Sequence, residues 1–229
     1  MIEPMVDTGT EPAATRRTAL GGWWLSAALL VLFALTWWQV AAHGPVTRWD
    51  VHVRRYVLAW ADSSQWHWAY HPARGACDLA NPDPATAVLG VATLAATYFT
   101  RRWWPLITAV SAGAFLLIVI PLLKVVVARP GPGQATLGNA RLGFFPSGHT
   151  ATAMLCYGTA LLLVNRLVAS RAARRAIAVV TVVLIATIAS ALIWCDFHWL
   201  SDVLGSAFLC GAVLYVLNVF SIPRRTGDG

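Results

Sequence analysis

Phe144-Phe145-Pro146-Ser147-Gly148-His149-Thr150 runs without a break into the apolar stretch at residues 151–164. A Pro-Ser-Gly turn that opens a helix directs free backbone N–H groups outward, and a helix start with free donors attracts an anion. Gly148 permits close backbone approach, Ser147 adds a hydroxyl, and His149 can carry a proton near neutral pH. Taken alone, the turn reads equally well as an ordinary helix cap. The apolar stretch behind it contains no charge, so the helix it opens belongs in an apolar solvent.

Composition points the same way. Of 229 residues, 58% are hydrophobic and only 12% charged, where a soluble domain carries about 25% charge. The mean hydropathy is +0.61. These values predict one integral membrane domain. A net charge of +7 raises the question of nucleic acid, but the basic residues fall in pairs between apolar runs. That spacing is a topology signal, and no nucleic-acid partner follows from it. Cys77, Cys156, Cys195 and Cys210 lack metal-type spacing. Cys77 and Cys195 fall in intervals expected on the same outer side.

Residues 1–18 are polar and read as a disordered cytoplasmic N-terminus. Residues 19–222 form the membrane domain, and 223–229 a cytoplasmic tail. Within the domain, apolar runs at 19–42, 84–100, 103–123, 150–164, 176–194 and 203–222 predict a bundle of six transmembrane helices, an all-α protein. Arg16-Arg17 precedes a first run too long for an export signal, so that run reads as an uncleaved helix. Residues 49–60 mix Val51, Val53, Tyr56, Val57 and Trp60 with charges, which predicts a helix lying at the membrane surface between spans one and two. His67 and His71 have no acidic or cysteine partner in register and read as surface histidines.

Charge asymmetry sets the orientation. Ten basic residues (Arg16, Arg17, Arg101, Arg102, Arg166, Arg171, Arg174, Arg175, Arg224 and Arg225) fall on one side and seven on the other. Most of the seven sit in the long second interval or near the candidate site, whereas the rule counts short flanking loops. Both termini are therefore expected in the cytoplasm, with the Pro-Ser-Gly-His turn facing outward.

Two other polar features fall on that outer side. Lys124, the one lysine beside sixteen arginines, lies inside an apolar run with Arg129 five residues on. A lysine there either snorkels to the interface or meets an anion, and two converging cations suit a phosphate. The second feature is Trp194-Cys195-Asp196-Phe197-His198-Trp199-Leu200-Ser201-Asp202. His198 and Asp202 are four apart and share a helix face. A carboxylate on one imidazole nitrogen makes the other a better nucleophile or base. The pair also matches half of a metal site, for which His149 is the clear third donor. One histidine to attack phosphorus and one to protonate the leaving group suffice for phosphoryl transfer without a metal.

These motifs resemble the type 2 phosphatidic acid phosphatase family, related to vanadium haloperoxidases, with its Lys-x6-Arg-Pro, Pro-Ser-Gly-His and Ser-Arg-x5-His-x3-Asp signatures. The resemblance runs from the third span onward, and the second motif matches in full at Pro146–His149. It implies that His198 forms a phosphohistidine, that Asp202 orients it and that His149 is the general acid. Lys124, Ser147 and Gly148 would then hold the phosphate. Three family positions depart from the pattern: Gly131 and Leu192 stand where it has arginines, and Ala191 where it has serine. Arg129 is expected to reach into the gap as a substrate ligand, with Arg141 as a second stand-in. Asp196 is expected to partner Arg129 or Arg141.

The expectation is a cell-membrane phosphatase acting on a lipid phosphate or diphosphate, isoprenoid or phosphatidyl in type, with no cofactor or metal. The competing expectation is a membrane protein that binds or transports lipid phosphates with little hydrolysis, for which the missing arginines speak.

Overall fold

The computed structural model describes residues 13–137 and 142–221, and every regular element among them is helical. Nine α-helices follow in order: α1 (Ala13–Ala41), α2 (Pro45–Ala61), α3 (Tyr70–Asp78), α4 (Pro82–Thr100), α5 (Trp104–Ala114), α6 (Ile120–Val127), α7 (Gly148–Leu167), α8 (Arg171–Trp194) and α9 (Leu200–Val216). A π-turn, Phe115–Val119, joins α5 to α6, so that the two make one rod. The tails at 1–12 and 222–229, and Arg141, lie outside the described residues.

Sequence explains most of the boundaries. Proline at the first turn starts α2, α4 and α5, a position whose N–H would be unpaired anyway, whereas Pro121 lies inside the rod just after the π-turn. Ser147 and Ser170 cap α7 and α8, each accepting a backbone N–H. Arg101 takes a left-handed conformation that ends α4 and lets α5 begin at Trp104, which makes the tight hairpin expected at the Arg101-Arg102 pair.

Four helical stretches are long and apolar enough to cross a membrane: Trp23–Ala41, Trp104–Val127, Arg171–Trp194 and Leu200–Val219. α4 and α7 cover the other two apolar runs. Their Thr, Gly, His and Asn content dilutes the apolar signal. In α7 those residues face protein: eleven of its positions are buried, including Thr150, Thr152, Gly158 and Thr159. Small residues let neighbours approach closely, and a Cβ on Gly158 would meet Leu214 of α9 at 2.6 Å. Two apolar clusters flank α7, one shared with α3, α4 and α8, the other with α1, α6 and α9. By contrast Val179, Val180, Val182 and Val183 of α8 stand exposed, which suits contact with lipid chains rather than water.

Helix α2 covers the stretch expected at the membrane surface and begins earlier, at Pro45. One of its stripes is Val46, Asp50, Val53 and Val57, where Asp50 is only 2% exposed. That stripe turns toward α8 and α9, and it carries α2 into the polar centre of the molecule.

Candidate active site

The polar residues converge where α6 ends, α7 begins and α8 turns into α9. The turn between α8 and α9 is built on Leu192, whose carbonyl accepts both Phe197 N and His198 N. Asp196 adopts a left-handed φ of 57° to make it. His198 therefore emerges just before α9, and Asp202 lies one turn into that helix. Asp202 Oδ2 accepts the Trp199 N–H at 3.2 Å and stands 3.4 Å from His198 Nδ1. The carboxylate thus caps α9 and orients the imidazole together. His198 is 7% exposed and Asp202 not at all.

His149, in the first turn of α7, places its ring centroid 5.9 Å from that of His198. Ser147 is the helix cap: its Oγ accepts Thr150 N at 3.2 Å and its own N–H donates to Asp202 O. The N–H groups of Gly148 and His149 find no acceptor among the described residues, as expected at a helix start. Lys124 donates from Nζ to Gly143 O at 3.0 Å. A Cβ on Gly148 would lie 3.4 Å from Lys124 Cε and 3.8 Å from Nζ, so the ammonium end sits against the Gly148 backbone. Lys124, Ser147, Gly148, His149, His198 and Asp202 are thus brought to one locus.

Arg129 joins them with its donors turned elsewhere. Nη1 donates to Asp202 Oδ1 and to Ser201 Oγ, both at 2.7 Å, and Nη2 donates to Asp50 Oδ2 at 2.6 Å. Asp50 also accepts Ser201 N and Ser201 Oγ. Two buried carboxylates therefore share one guanidinium, and its side chain is only 10% exposed. Such ions persist in a low-dielectric interior when hydrogen bonds satisfy them.

Asp196 departs from expectation. Its partner is Arg54, whose Nε and Nη2 reach the two carboxylate oxygens at 2.8 and 2.7 Å. The planar fork of Arg54 fits the carboxylate from α2, while the donors of Arg129 are already committed. The bond to Asp196 also raises the Arg54 pKa. The expected alternative, Arg141, falls outside the described residues.

The empty arginine positions are filled by packing. Leu192 is fully buried. At Gly131 a Cβ would fall 2.6 Å from the Phe144 ring, and that ring stands edge-on to His198 at 5.7 Å between centroids. Cys77 and Cys195 are both buried free thiols.

Asp50, Arg54 and Ser201 were missed from sequence. The available signal was a carboxylate at a stripe position otherwise held by Val46, Val53 and Val57, since a lone acid among spaced valines asks for a buried partner.

The fold is that of an all-helical, multi-pass membrane protein. Residues 102–225, over half the chain, match the PAP2 superfamily model, and the chain belongs to that superfamily, the type 2 phosphatidic acid phosphatases. Among solved structures, a transmembrane PAP2-type phosphatidylglycerolphosphate phosphatase from Bacillus subtilis aligns with a TM-score of 0.69. The two are 17% identical, and the alignment covers 85% of this chain and 94% of that one. At that identity the likeness is one of fold. No curated protein sequence matches the chain significantly.

Proposed function

We propose that this protein is a membrane phosphatase that hydrolyses a lipid phosphate or diphosphate through a phosphohistidine on His198. The observation that carries this reading is the pairing of the His149 and His198 rings at 5.9 Å, with Asp202 behind His198. In the first step His198 Nε2 attacks phosphorus and the bond to the lipid oxygen breaks. His149 gives its proton to that oxygen, and the lipid alcohol leaves; with a diphosphate, attack on the terminal phosphorus breaks the bridging bond and the lipid monophosphate leaves. Water then attacks the phosphohistidine while His149 takes a proton from it, which releases inorganic phosphate and restores both rings. Asp202 holds the Nδ1 proton of His198; a distance of 3.4 Å is long for this bond, and such bonds tighten once the imidazole gains charge.

Lys124, the Ser147 hydroxyl and the free N–H groups of Gly148 and His149 would bind the equatorial oxygens. Arg129 serves here as the clamp on Asp202 and Asp50, and so as a positioning residue. The histidine route needs no metal. Six spans with α2 along the outer surface, both termini cytoplasmic and the site on the outer face of the cell membrane complete the proposal. It is supported by the basic residues flanking the short loops. A lipid substrate would then reach the site from the bilayer interface.

The test is phosphate release from purified prenyl and glycerolipid phosphates in detergent, with and without chelator. Turnover by the wild type and none by His198→Ala is expected. Undiminished turnover in the variant would end the proposed mechanism, and binding without release would favour a lipid-phosphate binder.

A further inference from the structure

A cavity with cationic residues in its lining opens beside Arg129. It measures about 450 Å³ and lies between the end of α1, helix α2 and the Pro130 loop. Its charged or titratable lining is His43, Arg48, His52, Arg55 and Arg129, and Trp199, the residue after His198, also lines it. Arg48, His52 and Arg55 recur at i, i+4 and i+7, so one side of α2 presents all three. That side is distinct from the stripe bearing Asp50.

The cavity holds no acid, and the acids nearest to it are already engaged. Asp50 and Asp202 bind Arg129, and Asp196 binds Arg54. Among the described residues, Arg48 and Arg55 have no carboxylate partner. Val40, Val51, Pro130 and Trp199 supply apolar walls, and a cleft with one sign of charge and apolar walls concentrates ions of the other sign. Arginine forks suit phosphate oxygens in particular.

We infer that this cavity is a second anion site, which holds a phosphate-type group beside the one being hydrolysed. Arg129 and Trp199 border both sites: both line the cavity, Trp199 follows His198 directly in sequence, and the Arg129 guanidinium, bonded to Asp202, packs over the indole ring at 5.2 Å. The second phosphate either belongs to the same lipid head, as in a diphosphate, or comes as a separate ion. The first case rests on the phosphatase reading above; anion binding as such does not.

The test uses the full-length protein in detergent and the double variant Arg48→Gln/Arg55→Gln. Both side chains are exposed, so the variant should keep its melting temperature. Inorganic pyrophosphate is titrated calorimetrically into both proteins, and Michaelis constants are measured for a prenyl diphosphate and the monophosphate of equal chain length. Loss of two exposed cations should weaken pyrophosphate binding by about tenfold. It should raise KM for the diphosphate by a similar factor, with kcat and the monophosphate KM unchanged. If the ligand is a separate ion, added inorganic phosphate should instead alter monophosphate turnover in the wild type beyond the product inhibition that both proteins share. Equal pyrophosphate binding in the two proteins, or an equal KM rise for both substrates, overturns the inference. A wild type that binds pyrophosphate through these arginines but hydrolyses neither lipid would end the phosphatase reading and leave this site standing.

Discussion

Arg129 Nη2 donates to Asp50 Oδ2 at 2.6 Å across 79 positions of sequence, and the same guanidinium holds Asp202 behind His198. The contact ties α2 to the machinery on α9. Asp50→Asn should therefore lower kcat by about tenfold, equivalent to about 1.4 kcal/mol in barrier, with a smaller change in KM. Removing one partner of a buried ion pair should also cost about 3 kcal/mol of stability. Steady-state kinetics and thermal unfolding in detergent check both, and an unchanged kcat would restrict Asp50 to folding.

Arg129 itself separates two roles. As a clamp on two carboxylates, it should give Arg129→Lys a reduced kcat and a nearly normal KM, because one ammonium cannot reproduce the fork. A direct phosphate ligand would give the reverse split. A KM rise without kcat loss would return Arg129 to the substrate.

His149 is assigned the proton for the leaving alcohol. His149→Ala should slow turnover of an alkyl phosphate by about 10²–10⁴-fold. It should slow an aryl phosphate far less, since a phenolate leaves without help. Equal losses on both substrates would show that His149 does something other than protonate the leaving group.

Burial, and next the neighbouring Cys195, push the Cys77 thiol up from 9.0 to about 12. Since the thiolate is the nucleophile, Cys77 should resist maleimide at pH 8 in the native protein and label fully once denatured, as mass spectrometry would show. The unfolded thiol ionises near 9 and the native one near 12, so the native state holds its proton longer. That contribution to stability is complete below pH 9 and is lost as pH rises through this window.

Much of the fold was legible because lipid-facing helices declare themselves by composition: each expected apolar run lies within, or nearly coincides with, a helical stretch of the described chain. α4 and α7 carry a weaker signal, because Thr and Gly suit helix-to-helix packing as well as a membrane. At the site, His198 and Asp202 were readable from a four-residue spacing, and Pro146–His149 from its own chemistry. Asp50 and Arg54 were not, because their partners lie 79 and 142 positions away. Long-range ion pairs leave no local period, and α2 displayed its apolar residues more openly than its one buried acid. The same distance hid the partner of Asp196.

The Phe144 ring occupies the space beside Gly131 and stands edge-on to His198. A return to the family arginine at position 131 would have to displace that ring, and with it a support of the proposed nucleophile. The change is therefore epistatic: Gly131→Arg should be tolerated only on a background with a smaller residue at 144. Sequence drift at this pair would then move in concert, and the departure from the family pattern is self-maintaining.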